Sequence, residues 1–503
     1  MNLDYHALLP EIILASTVML VLVVDLLPVD KYWTAVVGLL GTSAAIVPLL
    51  TLHFCSSLSF CESTGTRSMF SDAYVVDSFS LVLKGLFLVV AVVVLLLSVG
   101  YIESGQFWQG EYYFLLLSSV LGAVVMASSR DFISMFVGLE LVTAPTFLMA
   151  GWRKGDARSN EAALKYFIIG VISAAILLFG ISLVYGATGE LRFVDVAASI
   201  AVVGETPLLT IGILFTVLGF AFKVSAAPFH FWTPDTYEGA PTPVTAYLSV
   251  GSKTAGFVGL LTISYIAFGT ARGTWAALIW ILAVSSMIIG NVVAVKQTNI
   301  VRMLGYSSIA QGGFMLVPFG ALVGADIGPE DLERAFFATV TYVLIYAAMN
   351  LGAFATVIAI SDRIKSGDIK DLAGLGAYAP GLAGLLAVFF ISLAGLPPLG
   401  GWFAKLAMFN SAIGPGSSWG LALAVIAAIN AVVAFAYYGG VVKSAWFDSP
   451  PDTISPEMKN PTKVAPPLAL ALGITFVATI LFGVLPNVIT NMSDLASSLV
   501  SGL

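Results

Sequence analysis

The sequence Gly395-Leu396-Pro397-Pro398-Leu399-Gly400-Gly401 lies inside an apolar segment that runs from residue 378 to residue 411. A membrane-spanning helix needs about 20 apolar residues, so this segment is too long for one simple span. Prolines interrupt a helix because they lack a backbone N–H and their rings clash with the preceding turn. The segment therefore predicts two half-helices joined by a break, which a bilayer tolerates only where protein covers the freed backbone groups.

The whole chain has the composition of a membrane protein. Of its 503 residues, 58% are hydrophobic and only 10% are charged, and the mean hydropathy is +0.97. These values lie far outside the usual balance of soluble domains. The pattern predicts an all-α polytopic membrane protein with about fourteen transmembrane helices, of which the seventh and twelfth are broken. The predicted spans are 8–27, 34–53, 78–100, 112–128, 130–150, 161–186, 207–231, 241–267, 274–296, 301–323, 335–361, 378–411, 419–442 and 464–488.

The distribution of positive charge predicts the orientation of these spans. The loops after odd-numbered spans hold twelve of the 22 Lys and Arg residues, and the loops after even-numbered spans hold five. The side richer in Lys and Arg is normally cytoplasmic, so both termini are predicted to face outward. Cys55 and Cys61 then share an outer loop, where a disulfide bond is permitted; the sequence is equally compatible with two unpaired thiols.

Five lysines remain inside predicted spans: Lys84, Lys165, Lys223, Lys253 and Lys405. Insertion of a charged residue at the bilayer centre is unfavourable by roughly 2.5–3.5 kcal/mol, so each lysine needs an explanation. Lys84 and Lys165 lie near span ends, and we expect their ammonium groups to reach the membrane surface. The other three lie deeper. Burial disfavours the charged form of lysine, so these three are candidates for proton exchange near neutral pH.

Glu140 lies near the middle of its predicted span and needs a cationic partner, for which Lys223 is the candidate. One interpretation is a static ion pair that orients two helices, and the other is a proton-relay pair. The additional buried lysines favour the relay. His230, at the cytoplasmic end of the seventh predicted span beside Pro228, is interpreted either as a residue for proton uptake or as a structural hydrogen-bonding residue.

Polar residues in the second half of the chain have two interpretations as well. They either order water between the lysines or bond one helix to another. These residues are Tyr306, Ser307, Ser308, Gln311, Tyr342, Tyr346, Asn350, Asn430 and Tyr437.

The two predicted breaks fall five spans apart, near Pro228 and Pro398, and each broken span carries a lysine. Transporters built from repeated halves place their sites at paired, interrupted helices near the midplane. We therefore predict two five-helix repeats, inverted because an odd number of spans separates the breaks; two unrelated packing kinks are the alternative. The single membrane domain 1–503 is predicted to contain helices one to three in 1–105, the repeats in 112–267 and 274–442, and a last helix in 464–488.

Several function classes are excluded by what the sequence lacks. No basic run of the kind that binds nucleic acid is present, and the net charge is −7. Two cysteines and three histidines are too few for an iron–sulfur cluster or a zinc site, which each need about four ligands. No glycine-rich nucleotide-binding motif occurs. We expect no metal and no cofactor to be bound by this chain.

Three segments of the sequence are long and specific: Arg158-Ser159-Asn160-Glu161-Ala162-Ala163-Leu164-Lys165-Tyr166-Phe167, Ala227-Pro228-Phe229-His230-Phe231-Trp232-Thr233-Pro234-Asp235-Thr236-Tyr237-Glu238-Gly239-Ala240-Pro241-Thr242-Pro243-Val244, and Gly395-Leu396-Pro397-Pro398. In these segments the chain resembles a known family, the proton-pumping, antiporter-like membrane subunits of respiratory complex I. The resemblance covers nearly the whole chain, and the stretch at 158–167 is similar to the subunit N group in particular.

The resemblance implies roles for four residues. Glu140 matches the family's fifth-helix glutamate, Lys223 its paired seventh-helix lysine, Lys253 the central eighth-helix lysine and Lys405 the twelfth-helix residue on the outward exit side. It also implies that FMN, iron–sulfur clusters and quinone belong to partner subunits. The implied neighbours in the complex I membrane arm are the sister antiporter-like subunit M and the small subunit K, in a bacterial inner membrane.

The function expected from the sequence is proton translocation coupled to quinone reduction in partner subunits, within an NADH-quinone oxidoreductase. One rival is a cation/proton antiporter subunit outside any redox complex. A second rival is a structural subunit that only anchors its neighbours, with its buried lysines frozen in ion pairs. The electron donor, which is NADH, ferredoxin or a deazaflavin in related complexes, and the quinone type are not determined by this sequence.

Overall fold

The computed structural model describes residues 3–55, 65–104, 110–204, 206–324, 327–455, 458 and 463–500, and these residues are almost entirely helical. A single antiparallel hairpin, β1 (Arg67–Met69) and β2 (Tyr74–Val76), follows the second helix. The helices of the first half of the chain are α1 (Tyr5–Leu26), α2 (Tyr32–His53), α3 (Ser78–Ser104), α4 (Gly110–Ser128), α5 (Phe132–Ala150), α6 (Ala157–Thr188), α7 (Phe193–Val203), α8 (Pro207–Lys223) and α9 (Trp232–Gly239).

The middle of the chain forms one long helical segment with irregular turns. It comprises α10 (Thr242–Tyr247), a π-helical turn (Leu248–Ser252), α11 (Lys253–Thr262) and a second π-helical turn (Ile263–Ala267). A short 3₁₀ turn (Gly269–Ala271) leads into the next helix. The remaining elements are α12 (Arg272–Ala294), α13 (Ile300–Gly320), α14 (Pro329–Ile364), a 3₁₀ turn (Ile369–Leu372), α15 (Leu375–Tyr378), α16 (Pro380–Ala394), α17 (Gly400–Ile413), α18 (Ser418–Phe447), α19 (Pro466–Val484) and α20 (Asn487–Ser497).

Side-chain caps fix where several of these helices begin. The first backbone N–H groups of a helix have no partner within it, and a short polar side chain before the helix accepts from them. Asp131 accepts from the N–H groups of Ile133 and Ser134 and so starts α5. Thr206 caps α8 in the same way, and Pro207 follows at the first helical position, where its missing N–H is harmless.

Both predicted breaks are confirmed. In the seventh predicted span, 207–231, α8 ends at Lys223 and irregular chain follows until α9 begins at Trp232, with Ser225 in the left-handed region at φ +59°. The twelfth separates into α16 and α17. Gly395 follows α16 at φ +86°, and an added Cβ there would lie 2.4 Å from Lys405 Cδ. Glycine is therefore required at this break both by the backbone angle and by the lysine packed on it.

The segment from Thr242 to Ala267 lies at the centre of the fold and is completely buried within the chain. The 36-residue α14 is almost as deeply buried, and it packs against α16, α17, α19 and α20. The outer helices α1, α6 and α18 bury much less of their surface, as helices that face lipid do. The buried lysines of the second half of the chain lie around this central pair.

Every predicted span falls on a helix or on a broken pair of helices. Within the described residues, eleven helical segments are long and apolar enough to cross a membrane. The number of crossings, the inverted relation of the repeats and the boundaries of the subregions stay predictions. The apolar pattern does not predict α7, α20 or the β-hairpin, because these elements are much shorter than a 20-residue span.

The expectation for Lys84 is wrong. Its side chain does not reach the surface but is fully buried, and its Nζ lies 2.6 Å from Glu11 Oε1. The Tyr74 hydroxyl donates to the same carboxylate oxygen at 2.7 Å. A carboxylate about two turns into α1 and a strand tyrosine thus satisfy an ammonium group that the sequence showed only as a charge near a span end.

The structure bears on whether the two cysteines are unpaired thiols. Cys55 is disulfide-bonded, which fits the oxidising compartment expected for an outer loop. Cys61 lies outside the described residues.

Close contact between α6 and α8 depends on the absence of a side chain at Gly180. An added Cβ at Gly180 would lie 2.5 Å from the backbone N of Thr216 in α8, whereas at Gly186 of the same helix it would meet nothing within 4 Å. We expect Gly180→Ala to destabilise the fold by about 1–3 kcal/mol relative to Gly186→Ala, because overpacking forces the helices apart. Thermal unfolding in detergent measures this difference, and equal midpoints would contradict the close packing.

Candidate functional site

Lys223 is the last residue of α8 and is 3% exposed. Its Nζ donates a hydrogen bond of 2.6 Å to Thr143 Oγ1 on α5. Its aliphatic stem packs against Gly256 of α11, where an added Cβ would lie 3.0 Å from Lys223 Cγ. Gly256 lies one turn after Lys253 on α11. The stem of Lys223 therefore packs on α11 one turn away from Lys253, the next lysine of the predicted relay.

Glu140 lies on α5, one turn before Thr143, and is half-buried. In the described part of the chain it makes no ion pair, so the static Glu140–Lys223 contact is not formed. Instead, the two side chains line a common cavity of about 10 Å³, together with Thr143 and Ser173. Glu140 and Lys223 therefore face each other across a small space rather than in direct contact.

Lys253 begins α11 directly after the first π-helical turn and is 2% exposed. Its Nζ donates to both the carbonyl oxygen and the hydroxyl of Ser308 on α13, each at 2.6 Å. The Tyr346 hydroxyl also donates to Ser308 Oγ, at 3.1 Å. π-Helical turns occur often at functional sites because they redirect side chains, and here one ends at the lysine.

Lys405 lies in the second half-helix α17 and turns back to the end of the first. Its Nζ donates to the carbonyl oxygen of Ala394, the last residue of α16, at 2.6 Å. A helix C-terminus carries partial negative charge and unpaired carbonyl groups, so it attracts a cation. The ammonium also lies 4.9 Å from the centre of the Phe314 ring.

One face of α13 connects the last two lysines. Ser308 accepts from Lys253, Gln311 donates to the carbonyl oxygen of Leu393 at 3.0 Å, and Phe314 lies beside Lys405. These three α13 residues are spaced three apart and so share one side of the helix over about 9 Å. Gln311 also accepts from Tyr342 at 2.6 Å. The polar residues predicted in this region therefore do bond helix to helix, beside the lysines.

The partners of the lysines divide them into two groups. Lys223, Lys253 and Lys405 donate to neutral hydroxyl and carbonyl oxygens. The other two lysines that fall inside predicted spans each contact a carboxylate, Lys84 on Glu11 and Lys165 on Asp235, at 2.6 Å in both cases. A lysine whose partner is neutral is not held in its charged form by a fixed countercharge.

Lys165 belongs to a cluster of ion pairs, and it is 42% exposed, as expected for a span-edge residue. Asp235 of α9 contacts both Lys165 of α6 and Arg302 of α13, at 2.6 and 2.7 Å. Arg302 also contacts Glu238 of α9, at 3.0 Å. This cluster ties the short helix after the first break to one helix on either side of it.

His230 lies in the irregular chain between α8 and α9, two residues after Pro228. It is 6% exposed, and its Nδ1 has no hydrogen-bond partner among the described residues. Its ring stacks on Phe231 with centroids 4.8 Å apart. Both interpretations of His230 remain open.

Two contacts of the site were not predicted. Thr143 lies three residues after Glu140, and this spacing on one helix face would have marked it. The ring of Phe314 beside Lys405 carries no such signal in the sequence.

In the ranges that the structure describes, no group of three His, Cys, Asp or Glu side chains is placed to hold a metal ion.

Comparisons with known proteins agree with this architecture. Residues 129–430 match the family described as NADH:quinone oxidoreductase/Mrp antiporter, TM. The chain belongs to this family. It is 35% identical to NADH-quinone oxidoreductase subunit N of Trichlorobacter lovleyi, in an alignment that covers 99% of this chain and 98% of that protein. The predicted resemblance to antiporter-like subunits of complex I is therefore confirmed.

Solved structures show the same fold. A chain of respiratory complex I from Thermus thermophilus, determined with bound aureothin, is 29% identical with a TM-score of 0.76, covering 96% of this chain and 98% of that one. A chain of the Mrp complex from a Dietzia species is 18% identical with a TM-score of 0.80, covering 99% and 98%. At that identity the second likeness shows the fold alone.

The ion-pair cluster of this family member should contribute to its stability. Arg302→Met leaves Glu238 without its 3.0 Å partner and removes one of the two partners of Asp235, so we expect destabilisation of about 1 kcal/mol after solvent screening. The matched control is Lys365→Met, whose pair with Asp362 is mostly exposed. Thermal unfolding measures the stability of both variants. Equal effects of the two changes would show that the ion-pair cluster at α9 does not stabilise the fold.

Proposed function

We propose that this chain is a proton-translocating membrane subunit of a bacterial NADH-quinone oxidoreductase. In this proposal it couples quinone reduction in partner subunits to proton transfer through its buried Glu and Lys residues. Support comes from the 35% identity to a subunit N over nearly the whole chain and from the chain of complex I that has the same fold. No redox step is assigned to this polypeptide.

The observation that carries the proposal is that the hydrogen-bond partners of three buried lysines are neutral. Thr143, Ser308 and Ala394 supply only hydroxyl and carbonyl oxygens to Lys223, Lys253 and Lys405. A buried ammonium group without a carboxylate in direct contact is costly, and each of these groups can release a proton without breaking a direct ion pair. A scaffold with frozen ion pairs would instead place a carboxylate at each lysine, as Glu11 is placed at Lys84.

The proposed route begins on the cytoplasmic side, passes between Lys223 and Lys253, and leaves outward by Lys405, with Glu140 controlling Lys223. Packing of the Lys223 stem beside α11 supports the first transfer. The shared face of α13, which carries Ser308, Gln311 and Phe314, supports the second. His230 is proposed as a residue for proton uptake, because it lies in the break that follows Lys223.

We propose that the partners are other membrane subunits of the complex, with the sister subunit M and the small subunit K as neighbours. FMN, iron–sulfur clusters and quinone would be held by other subunits of the assembly. The distribution of Lys and Arg supports an inner-membrane location with both termini outside.

The alternative hypothesis, a cation/proton antiporter subunit outside any redox complex, needs a separate test because the similarity to the Mrp complex chain concerns the fold alone. A free antiporter would exchange cations for protons without electron transfer. Copurification of the chain with hydrophilic subunits that carry FMN and iron–sulfur clusters supports the redox complex, whereas cation-driven proton movement by the chain without them supports the antiporter.

Removing the charge at Lys223 should stop the relay. We expect Lys223→Met to lower the number of protons pumped per electron severalfold in membranes carrying the assembled complex, because the group that accepts and releases the proton is gone. Glu140→Gln should lower it as well, since a neutral amide cannot change the charge beside Lys223. The control is Lys370→Gln on an exposed lysine. Pumping per electron that equals wild type in both site variants would exclude the relay.

Thr143 offers a milder change at the same place. Thr143→Val keeps the shape of the side chain but removes the oxygen that accepts from Lys223. We expect a partial loss of pumping, because the ammonium is no longer held between Glu140 and α11, and we expect Thr143→Ser to retain it. If the valine variant pumped fully while the serine variant did not, the hydrogen bond would have no role.

A further inference from the structure

The small cavity between Glu140 and Lys223 has polar groups on three helices. It is lined by Glu140 and Thr143 of α5, Ser173 of α6 and Lys223 of α8, and the rest of its wall is apolar. Its volume is about 10 Å³. A site needs about this much room, and two to four polar partners, to hold one water molecule.

Hydrogen-bonding capacity at this cavity is left over on three side chains. Ser173 is 6% exposed, and in the part of the chain that the structure covers its hydroxyl has no hydrogen-bond partner. The same holds for the carboxylate of Glu140. Lys223 has three N–H donors, of which Thr143 uses one. A carboxylate, a hydroxyl and an ammonium that all face one space match the donors and acceptors of a single water molecule.

We propose that one water molecule, held by Ser173, carries protons between Glu140 and Lys223. The water accepts a proton from the Lys223 ammonium while it donates another to the Glu140 carboxylate. The products are a neutral amine, a carboxylic acid and an unchanged water molecule. Both charges disappear together, so the net charge of the pair does not change in the transfer. The reverse step restores both ions.

This inference rests on the proposed function and makes Ser173 a positioning residue for it. Leu139, Leu177 and Phe222, which form much of the remaining wall, offer no side-chain hydrogen-bond partner to a water molecule. A direct contact between Glu140 and Lys223 would not need Ser173, and a static pair would not need the cavity. A requirement for Ser173 therefore distinguishes a water-bridged pair from a direct contact and from a static ion pair.

The test fills the cavity without touching its ionisable groups. Ala174 also lines the cavity, so Ala174→Val places two methyl groups in the space for the water. The matched control is Ala175→Val, the same change at the next, exposed position of α6. Ser173→Ala removes the hydroxyl and cannot clash, and Ser173→Thr restores a hydroxyl. All variants are measured in the assembled complex, whose amount is checked first.

Two measurements are compared. Infrared difference spectra during turnover, in H₂¹⁶O and H₂¹⁸O, identify bands of bound water by their isotope shift. We expect an isotope-sensitive band to be lost in Ala174→Val and weakened in Ser173→Ala, but kept in Ala175→Val and Ser173→Thr. Protons pumped per electron should fall severalfold in the first two variants and stay at wild-type values in the last two.

The outcomes separate this inference from the proposed function. Wild-type pumping in both Ala174→Val and Ser173→Ala, together with loss of pumping in Lys223→Met, would overturn the water bridge and leave the relay standing. Wild-type pumping in Lys223→Met would overturn both. An isotope-sensitive band that persists unchanged in Ser173→Ala and Ala174→Val would also overturn the bridge. If Ala174→Val does not assemble, Ser173→Ala and Ser173→Thr decide the question by the same two measurements.

Discussion

The constraint on which the structure depends is the need to satisfy polar groups in a region without water. An uninterrupted helix pairs nearly all of its own backbone groups, but the break after Ala394 leaves the last carbonyl groups of α16 without a backbone partner, because Pro397 and Pro398 have no N–H to donate. At the second break the Lys405 ammonium binds the carbonyl of Ala394, and Gln311 binds the neighbouring carbonyl of Leu393. The backbone defect and the buried cation therefore stabilise each other.

This constraint explains why the central helices are packed so tightly. Breaks and π-helical turns are tolerated only where other helices cover them, and the Thr242–Ala267 segment is completely buried. Glycines permit that cover, since Gly256 admits the Lys223 stem and Gly395 admits the Lys405 side chain. Packing and the proposed proton transfer depend on the same positions, so a change that loosens the cover also alters the surroundings of the lysines.

Much of this architecture could be predicted from the sequence because lipid imposes a simple pattern. Apolar segments of about 20 residues predict every long helix, Pro228 predicts the first break, and the prolines and glycines at 395–401 predict the second. The partners of charges could not be predicted in this way, because they come from distant helices. Lys84 was expected at the surface, but Glu11, 73 residues earlier in the chain, binds it in the interior. A static ion pair was one of the two interpretations of Glu140 and Lys223, yet Thr143 accepts from the lysine instead.

The choice of partner oxygen also bears on what a buried lysine can do. In an ion pair such as Lys84–Glu11 the carboxylate offsets the charge of the ammonium, so loss of the proton would also remove that direct attraction. A hydroxyl or carbonyl oxygen satisfies an N–H donor without fixing its charge, so a charge that moves nearby can change the protonation of the lysine. The charge of Glu140, close to Lys223 but not in contact with it, acts over that short distance. A row of neutral partners with one carboxylate beside it is thus an arrangement in which a single change of charge can pass from one lysine to the next.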